Sequence, residues 1–585
     1  MEFKRVFDIL PYQLQHYPQD DCLVAKIKGQ WVKQSTQEVI NAINLFSLGL
    51  LKSGIKKDDK IALISMNRPE WLIADHGIQQ LGAVSVPMYP TITVEDYRYI
   101  FRDAGVKMIF VSGGSLYNKV IAATADIEGI QDIYTFDEVA GARHWSELLG
   151  LANLAEKDLL EPYKATITAE DLLTIIYTSG TTGNPKGVML THNNLISNVK
   201  SSQPYVPVDN RHKALSFLPL CHIYERMLTC LYMTVGVSIY FAEGMEVIAD
   251  NLREVKPHVF STVPRLLEKV YDKIVSRGMD LTGVKRKLFF WALELGLQYD
   301  NQNRTAWYNA QLALANKLIF NKWREALGGN VIAIVSGGAA LQPRLARVFW
   351  AANIRVMEGY GLTETSPVIA VNRHNPDENM IGTVGPLVDQ VEVKIADDGE
   401  ILTKGPSIMK GYYKRPDLTD EVIDQAGWFH TGDIGTFVQD KYLKITDRKK
   451  EMFKTSGGKY IAPQSIENKL KESVLIEQAL VVGEGQKFPS VLIVPSFTGL
   501  QDWCKLHNIP YTSDAEMIAH PEVKAKFKKE INAYNESFAQ WEQVKKFELL
   551  PKLWSIESGE MTGKLSLKRK IIYQNNRDLI EKLYK

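Results

Sequence analysis

Eight apolar runs punctuate the first three quarters of this chain: KIALISM, AVSVPMY, KMIFVSG, LLTIIYTSG, ALSFLPL, VSIYFA, VFSTV and VIAIVSGG. Segments such as IALIS and MIFVS are apolar at odd and even positions alike. A strand of that kind has no polar face to give to water, so it must be covered on both sides, as in a parallel sheet flanked by helices. The intervening segments fit: EVINAINLFSLGLLKSG steps its apolar residues by three and four and ends at a glycine. The expected fold class is α/β with parallel-rich sheets. A length of 585 residues exceeds the roughly 250–300 that one core sustains, so at least two domains are expected.

The texture then changes twice. Residues 274–330 carry no strand signal and mix aromatic with basic side chains, as a helical insertion would. From 386 to 447 short alternating runs are separated by turn chemistry (ADDG, TKGPS), predicting a β-rich subdomain. A charged cluster, TDRKKEMFK at 446–454, precedes a strand-like ALVVGE and further helices. The expected division is residues 1–449 as the large N-terminal domain and 450–585 as a small α+β C-terminal domain.

Charge and cysteine usage narrow the partners. Lys and Arg total 69 against 68 Asp and Glu, a net of +1, without the basic excess of a nucleic-acid binder. The four cysteines form no CxxC pair and read as buried free thiols in a reducing compartment. No signal-peptide pattern opens the chain, and the longest uncharged apolar stretch, 227–242, is shorter than the roughly 20 residues of a spanning helix. A cytoplasmic protein is expected, in peripheral contact with the inner membrane face at most.

The strongest local motif is YTSGTTGNPKG at 177–187. Its glycines permit tight turns with exposed N–H groups, while the hydroxyls of Thr178, Ser179, Thr181 and Thr182 and the Lys186 ammonium add donors suited to polyphosphate oxygens. A plain glycine-rich hairpin is the alternative. The motif is not a Walker loop, because Lys186 precedes Gly187 and the chain continues as a strand, GVMLT, before Thr191 can cap a helix.

This segment resembles the phosphate loop of the adenylate-forming superfamily: acyl-CoA synthetases, luciferases and peptide-synthetase adenylation domains. Further matches follow in order: LPLCHIYER (218–226), SGGAAL (336–341), EGYGLTET (358–365), GTVGP (382–386), GEILTKGPSIMKGYY (399–413), GWFHTGDIG (427–435), TDRKKEMFKTSGGKYIAPQSIE (446–467) and a late GK at 563–564. The set covers nearly the whole chain at family spacing.

The resemblance implies ATP, coenzyme A and Mg2+ as co-substrates and cofactor, and a mobile C-terminal domain. Thr178, Ser179, Gly180, Thr181, Thr182, Gly183 and Lys186 would hold phosphates, with Thr363 beside them and Glu364 as the magnesium ligand. Tyr360 would stack on adenine in a pocket including Gly338, Ala339, Glu358, Gly359, Gly361 and Ile445. Asp433 would take the ribose hydroxyls and Arg448 the ribose or phosphates. Lys450 stands at the hinge, and Gly457, Gly458 and Lys459 lie in the loop that approaches the pantetheine thiol. Lys564 matches the catalytic lysine of adenylation, with Lys568 as runner-up, since Ser566 stands where some relatives carry a lysine. Without the resemblance, Glu364 is a charge after a turn, TGD an Asx turn and Lys450 a solvated charge.

His222 is either a core histidine or a neighbour of the acyl carboxylate. The stretch 257–271 resembles the long-chain branch, implying a fatty acid tunnel near Phe260, Thr262, Gly337 and Gly338; each buried methylene contributes about 0.8 kcal/mol, which favours long chains. The run Lys285–Trp291 is read as ordinary helix packing, with membrane docking as the alternative. The expected activity is ligation of a long-chain fatty acid to coenzyme A through an acyl-adenylate. Rivals are an acyl-AMP ligase serving a carrier protein, a ligase for another carboxylate, and a nucleotide-binding regulator without activity.

Overall fold

The computed structural model describes residues 3–178, 184–555, 557–561 and 567–585. Among these the strands form two eight-stranded sheets, a four-stranded sheet, a three-stranded sheet and a two-stranded ribbon. The eight apolar runs are strands of the two large sheets. In one sheet, Ser238–Phe241, Lys213–Ser216, Val259–Thr262, Ala333–Ser336 and Val356–Gly361 run parallel. In the other, Leu172–Thr178, Val84–Pro87, Lys60–Ile64 and Val106–Val111 do so. Strands at the sheet margins pair antiparallel, among them Lys186–Thr191 beside Leu172–Thr178 and Gly411–Tyr412 beyond it.

One apolar core joins the two sheets. It takes Ile61, Leu63, Phe110 and Leu173 from one sheet and Ile239, Phe241, Val259 and Val335 from the other, with helices Thr36–Lys52, Pro69–Gln79, His192–Ser202 and Ile223–Val235 contributing to it. Every residue of Pro69–Gln79 except Glu70 is buried. A helix covered on nearly all sides has almost no solvent face and belongs inside a layered fold.

Two consecutive charged residues of the innermost helix fasten this core. Arg226 makes a bidentate pair with Asp75, at 2.7 and 3.0 Å, and reaches Ser85 Oγ at 3.2 Å in the second sheet. Glu225 accepts hydrogen bonds from Ser216 Oγ at 2.6 Å and from Ser261 Oγ, both in the first sheet. Adjacent residues on a helix point about 100° apart, so the pair reaches both sheets at once. All four cysteines are buried, and none forms a disulfide.

Residues 264–326 hold helices and no strand: Pro264–Met279, Gly283–Leu297, then Ala306–Ala315 continuing through a π turn at Asn316–Phe320 into Asn321–Ala326. The four-stranded sheet comprises Glu392–Ile395, Glu400–Lys404, Phe429–Val438 and Tyr442–Arg448. Residues after 460 have apolar clusters of their own around a three-stranded sheet. No helix among the described residues is long and apolar enough to cross a membrane.

Burial pushes the Glu225 carboxyl up to about 7, against the opposing hydrogen bonds of Ser216 and Ser261. The folded protein therefore keeps a proton there that the unfolded chain releases, and this group's contribution to stability falls as pH rises from about 4.5 to about 7. Glu225→Gln removes that loss. The melting temperature of the variant minus that of the wild type should become more positive between about pH 5 and about pH 8; a pH-independent difference would contradict the assignment.

Candidate functional site

The sequence places a glycine-rich connection between two strands, and the strands themselves pair with Thr178 opposite Lys186. Thr191 ends the second strand and caps helix His192–Ser202: its Oγ1 accepts from Asn194 N at 3.1 Å, and the Asn194 Oδ1 accepts from Thr191 N at 2.9 Å. That helix then organises the opposite wall. The Asn194 amide donates to Pro406 O and Ile408 O at 2.8 Å. Asn198 both donates to Val368 O and accepts from Val368 N. Sequence reasoning missed both asparagines; the THNN run offered a signal only for the cap.

The segment held by Asn194 carries Tyr412. The two-residue strand Gly411–Tyr412 pairs with Met189 and Val188, and Tyr413 N donates to Gly187 O at 2.7 Å. The buried Tyr412 ring receives the Lys186 ammonium 4.0 Å from its centroid, and its hydroxyl donates to Glu364 Oε1 at 2.9 Å. Met409 N donates to Glu364 O at 2.8 Å, fixing the same residue through its backbone. One neutral side chain thus holds the cation and the carboxylate, which do not pair with each other directly. Burial holds the Lys186 ammonium below its ordinary value, against the pull of Glu364 and with the push of Lys450. Tyr412 lay inside the quoted GYY motif without an expected role.

The second group centres on Asp433, on strand Phe429–Val438 directly opposite Arg448. Arg448 Nε lies 3.1 Å from Asp433 Oδ1, and the Tyr360 hydroxyl donates to Oδ2 at 2.7 Å. The carboxyl is 4% exposed, whereas the Arg448 side chain is 54% exposed. Burial raises the Asp433 carboxyl, opposed by Arg448 and by the Tyr360 hydroxyl. Ile445 packs against the same apolar cluster as Tyr360. Glu358 is buried, pushed up to about 8 by desolvation while Gly382 N–H donates to it. Gly361 has a steric reason: a Cβ there would lie 1.8 Å from Pro367 O. Thr363 is buried on the next turn.

Ser179, Gly180, Thr181, Thr182, Gly183 and Lys564 lie outside the described residues, while Thr178 is partly buried at the strand end. Gly338 and Ala339 are exposed after strand Ala333–Ser336. His222 caps helix Ile223–Val235, with Nδ1 accepting from Tyr224 N at 3.1 Å. Phe260 and Thr262 are buried in their strand, and the Tyr224 ring, its hydroxyl bonded to Val335 O, stands where a Cβ on Gly337 would come within 3.2 Å. Gly457, Gly458 and Lys459 are exposed between strands Phe453–Lys454 and Tyr460–Ile461, with Lys459 over the Trp541 ring at 5.1 Å. Lys568 is exposed before helix Arg569–Asn575.

Both flanks of Lys450 are tied down. Lys449 Nζ lies 2.6 Å from Asp398 and 2.7 Å from Glu400, whose other oxygen accepts from Gly432 N. Glu451 accepts from Arg569 at 2.9 Å and from Gln464 at 2.8 Å. Lys450 itself is exposed.

The donor set fits a magnesium ion that arrives with a nucleotide. Magnesium takes one or two carboxylates and completes its shell with phosphates and water. Among the described residues no group of three or more potential ligands is assembled, and Glu364 Oε1 is engaged by Tyr412, leaving Oε2. The half-buried cation at the start of strand Lys186–Thr191 and the carboxylate held by the same tyrosine suit a phosphate chain, and the acceptor pair of Asp433 suits a diol.

The AMP-binding enzyme family matches residues 10–413, and the AMP-binding enzyme C-terminal domain matches residues 451–585. The chain belongs to the AMP-binding enzyme family. It is 32% identical over 567 residues to a protein of Mycobacterium bovis named long-chain-fatty-acid–CoA ligase FadD15, spanning 95% of this chain and 93% of that one. It is 32% identical over 625 residues to the peroxisomal long chain acyl-CoA synthetase 7 of Arabidopsis thaliana, covering 100% of this chain and 87% of that one. Its fold is shared with the adenylation domain of the carboxylate reductase from Mycobacterium chelonae, at a TM-score of 0.76 and 20% identity over 100% of this chain and 92% of that one.

Replacing Asp433 by Ala leaves Tyr360 and Arg448 without their shared acceptor. AMP affinity measured by calorimetry should fall at least about tenfold, the scale of losing hydrogen bonds to a charged group; unchanged affinity would remove Asp433 from the nucleotide pocket.

Proposed function

We propose that this protein ligates long-chain fatty acids to coenzyme A in two steps through an acyl-adenylate. The observation that carries the reading is the pair of groups Lys186–Tyr412–Glu364 and Tyr360–Asp433–Arg448 in one AMP-binding fold. The similarity over almost the full chain to proteins named for long-chain fatty acid ligation and acyl-CoA synthesis supports the choice of acid and acceptor.

In the first step a carboxylate oxygen of the acid attacks the α-phosphorus of ATP. A P–O bond forms to the acyl group, the bond to the β-phosphate oxygen breaks, and pyrophosphate leaves. Negative charge builds between two anions, so cationic groups dominate the barrier. Lys186 and the donors of the loop hold the departing phosphates. Glu364 and Thr363 hold the magnesium–phosphate side, where the ion, when bound, neutralises phosphate charge. Asp433 and Arg448 fix the ribose, and Tyr360 lies on the adenine side. Lys564, with Lys568 as alternative, supplies the further cation.

In the second step the coenzyme A thiolate attacks the acyl carbon and AMP leaves with the C–O electron pair. The swing that exchanges active surfaces turns at Lys450, between residues 1–449 and 450–585, because Lys449 and Glu451 are fastened to opposite sides. The 457–459 loop then brings its glycine backbone to the thiol. Four cysteines without a disulfide accord with a cytoplasmic site of action.

AMP and acyl-CoA formation across acids from acetate through palmitate and oleate to benzoate should peak at long chains with one AMP per thioester. A flat panel, or AMP without thioester, would overturn the assignment. Tyr412→Phe keeps the ring under Lys186 but frees Glu364 to pair with it. The magnesium concentration for half-maximal adenylation should rise about tenfold while the KM for the acid stays near the wild-type value. Lys564→Ala should stop adenylation and spare thiolation of supplied acyl-AMP, whereas a normal first step would pass the role to Lys568.

A further inference from the structure

The helical path from Ala306 to Ala326 is apolar where solvent should make it polar. Its inner side is accounted for: Ala315, Phe320 and Trp323 are buried in the core of the insertion, with Tyr308, Leu312 and Ile319 packed beside them. Its outer side carries Trp307 at 74% exposure, Leu314 at 49% and Leu318 at 41%. Spacings of seven and four residues put these three in one line on the exposed side of the helix. A helix covered on one face and apolar on both has an unpartnered surface.

Charge distinguishes this surface. Residues 274–330 contain eight Lys and Arg against four Asp and Glu, a net of +4 in a chain whose net is +1. Lys317 and Lys322 lie along the same helix and are exposed. Lys285, Arg286 and Lys287 are exposed on the first turn of helix Gly283–Leu297. Phe289 of that helix meets Trp323, with ring centroids 6.4 Å apart, which brings the basic turn beside the far end of the apolar line. The aromatic residues of the 285–291 run are turned inward: Phe289 is buried, and Phe290 and Trp291 pack against the core. The lipid-facing candidates are therefore on the next helix, a placement the sequence reading did not reach.

We propose that the outer face of the helix from Ala306 to Ala326 docks on an anionic lipid bilayer, with Trp307, Leu314 and Leu318 entering the interface and the surrounding lysines and arginine facing lipid phosphates. An exposed tryptophan with leucines in line, flanked by basic residues, is the composition of an interfacial helix. A second copy of the chain would present the same positive charge to itself, which disfavours self-association through this face. The choice of a bilayer also rests on the proposed substrate, because long-chain acids partition into bilayers.

Vesicle co-sedimentation of the full-length protein without ATP, acid or coenzyme A tests this independently of the reaction. Vesicles of phosphatidylcholine mixed with phosphatidylglycerol should bind the wild type, more weakly in high salt, and pure phosphatidylcholine vesicles much less. Trp307→Glu combined with Leu318→Glu should lower binding at least about tenfold, and neutralising Lys285, Arg286 and Lys287 together should lower it about as much. Circular dichroism should be unchanged in both variants, since all the altered side chains are exposed. Absence of binding to the anionic vesicles, or equal binding by the Trp307→Glu, Leu318→Glu variant, overturns the proposal. A dimer in sedimentation that this variant dissociates, without vesicle binding by the wild type, overturns it in favour of self-association. A flat acid panel with vesicle binding intact would overturn the substrate assignment alone.

Discussion

The two large sheets share one core, and the charged pair Glu225 and Arg226 is the polar fastening inside it. Arg226 is fully buried, and its bidentate pair with Asp75 is the condition for its presence there. Breaking a buried ion pair by removing one partner typically costs about 3–5 kcal/mol, because the other charge is left uncompensated. Glu225 anchors the same helix to the first sheet through Ser216 and Ser261. The spacing between the sheets, and with it the distance from strand Lys186–Thr191 on one sheet to strand Val356–Gly361 on the other, depends on this fastening. His222 caps the same helix, so its position is set by the same bonds.

The site follows a similar economy. Helix His192–Ser202 starts where the hairpin strand Lys186–Thr191 ends, and Asn194 and Asn198 reach across to the segments that carry Tyr412 and Glu364. A neutral tyrosine between an ammonium and a carboxylate prevents the two from neutralising each other in a half-buried pocket, where their attraction is stronger than in water. Both groups then stay available to a ligand that carries phosphates and a cation. At the other end of the pocket, Asp433 is held by two donors that a diol could replace or share. Lys450 is left as the single untied residue between Lys449, bound to Glu400 and Asp398, and Glu451, bound to Arg569.

Much of this was legible in the sequence. Strands apolar at both parities declared covered parallel sheets, and all eight runs are strands. The strand after Lys186 and the Thr191 cap were readable from GVMLT and the polar residues after it, because capping is local chemistry. The margins of the sheets were less readable: Leu23–Ile27 and Gln30–Gln34 form a hairpin whose second strand is largely exposed, so its pattern is weak. Long-range contacts were not legible from local chemistry. Nothing local says that Asp75 faces Arg226, or that Tyr412 stands between Lys186 and Glu364, since these contacts join residues far apart in the chain. The run 285–291 shows the same limit, because its composition does not tell which side chains face the core.

The account turns on an acyl-adenylate formed by attack of the acid oxygen on the α-phosphorus of ATP. The most direct test is a single turnover with palmitate carrying 18O in its carboxylate, followed by mass spectrometry of the released AMP. One 18O atom in the AMP phosphate, dependent on the acid and retained when coenzyme A completes the reaction, is the predicted result. Unlabelled AMP would contradict it, because the bond between acyl oxygen and phosphorus would then never have formed.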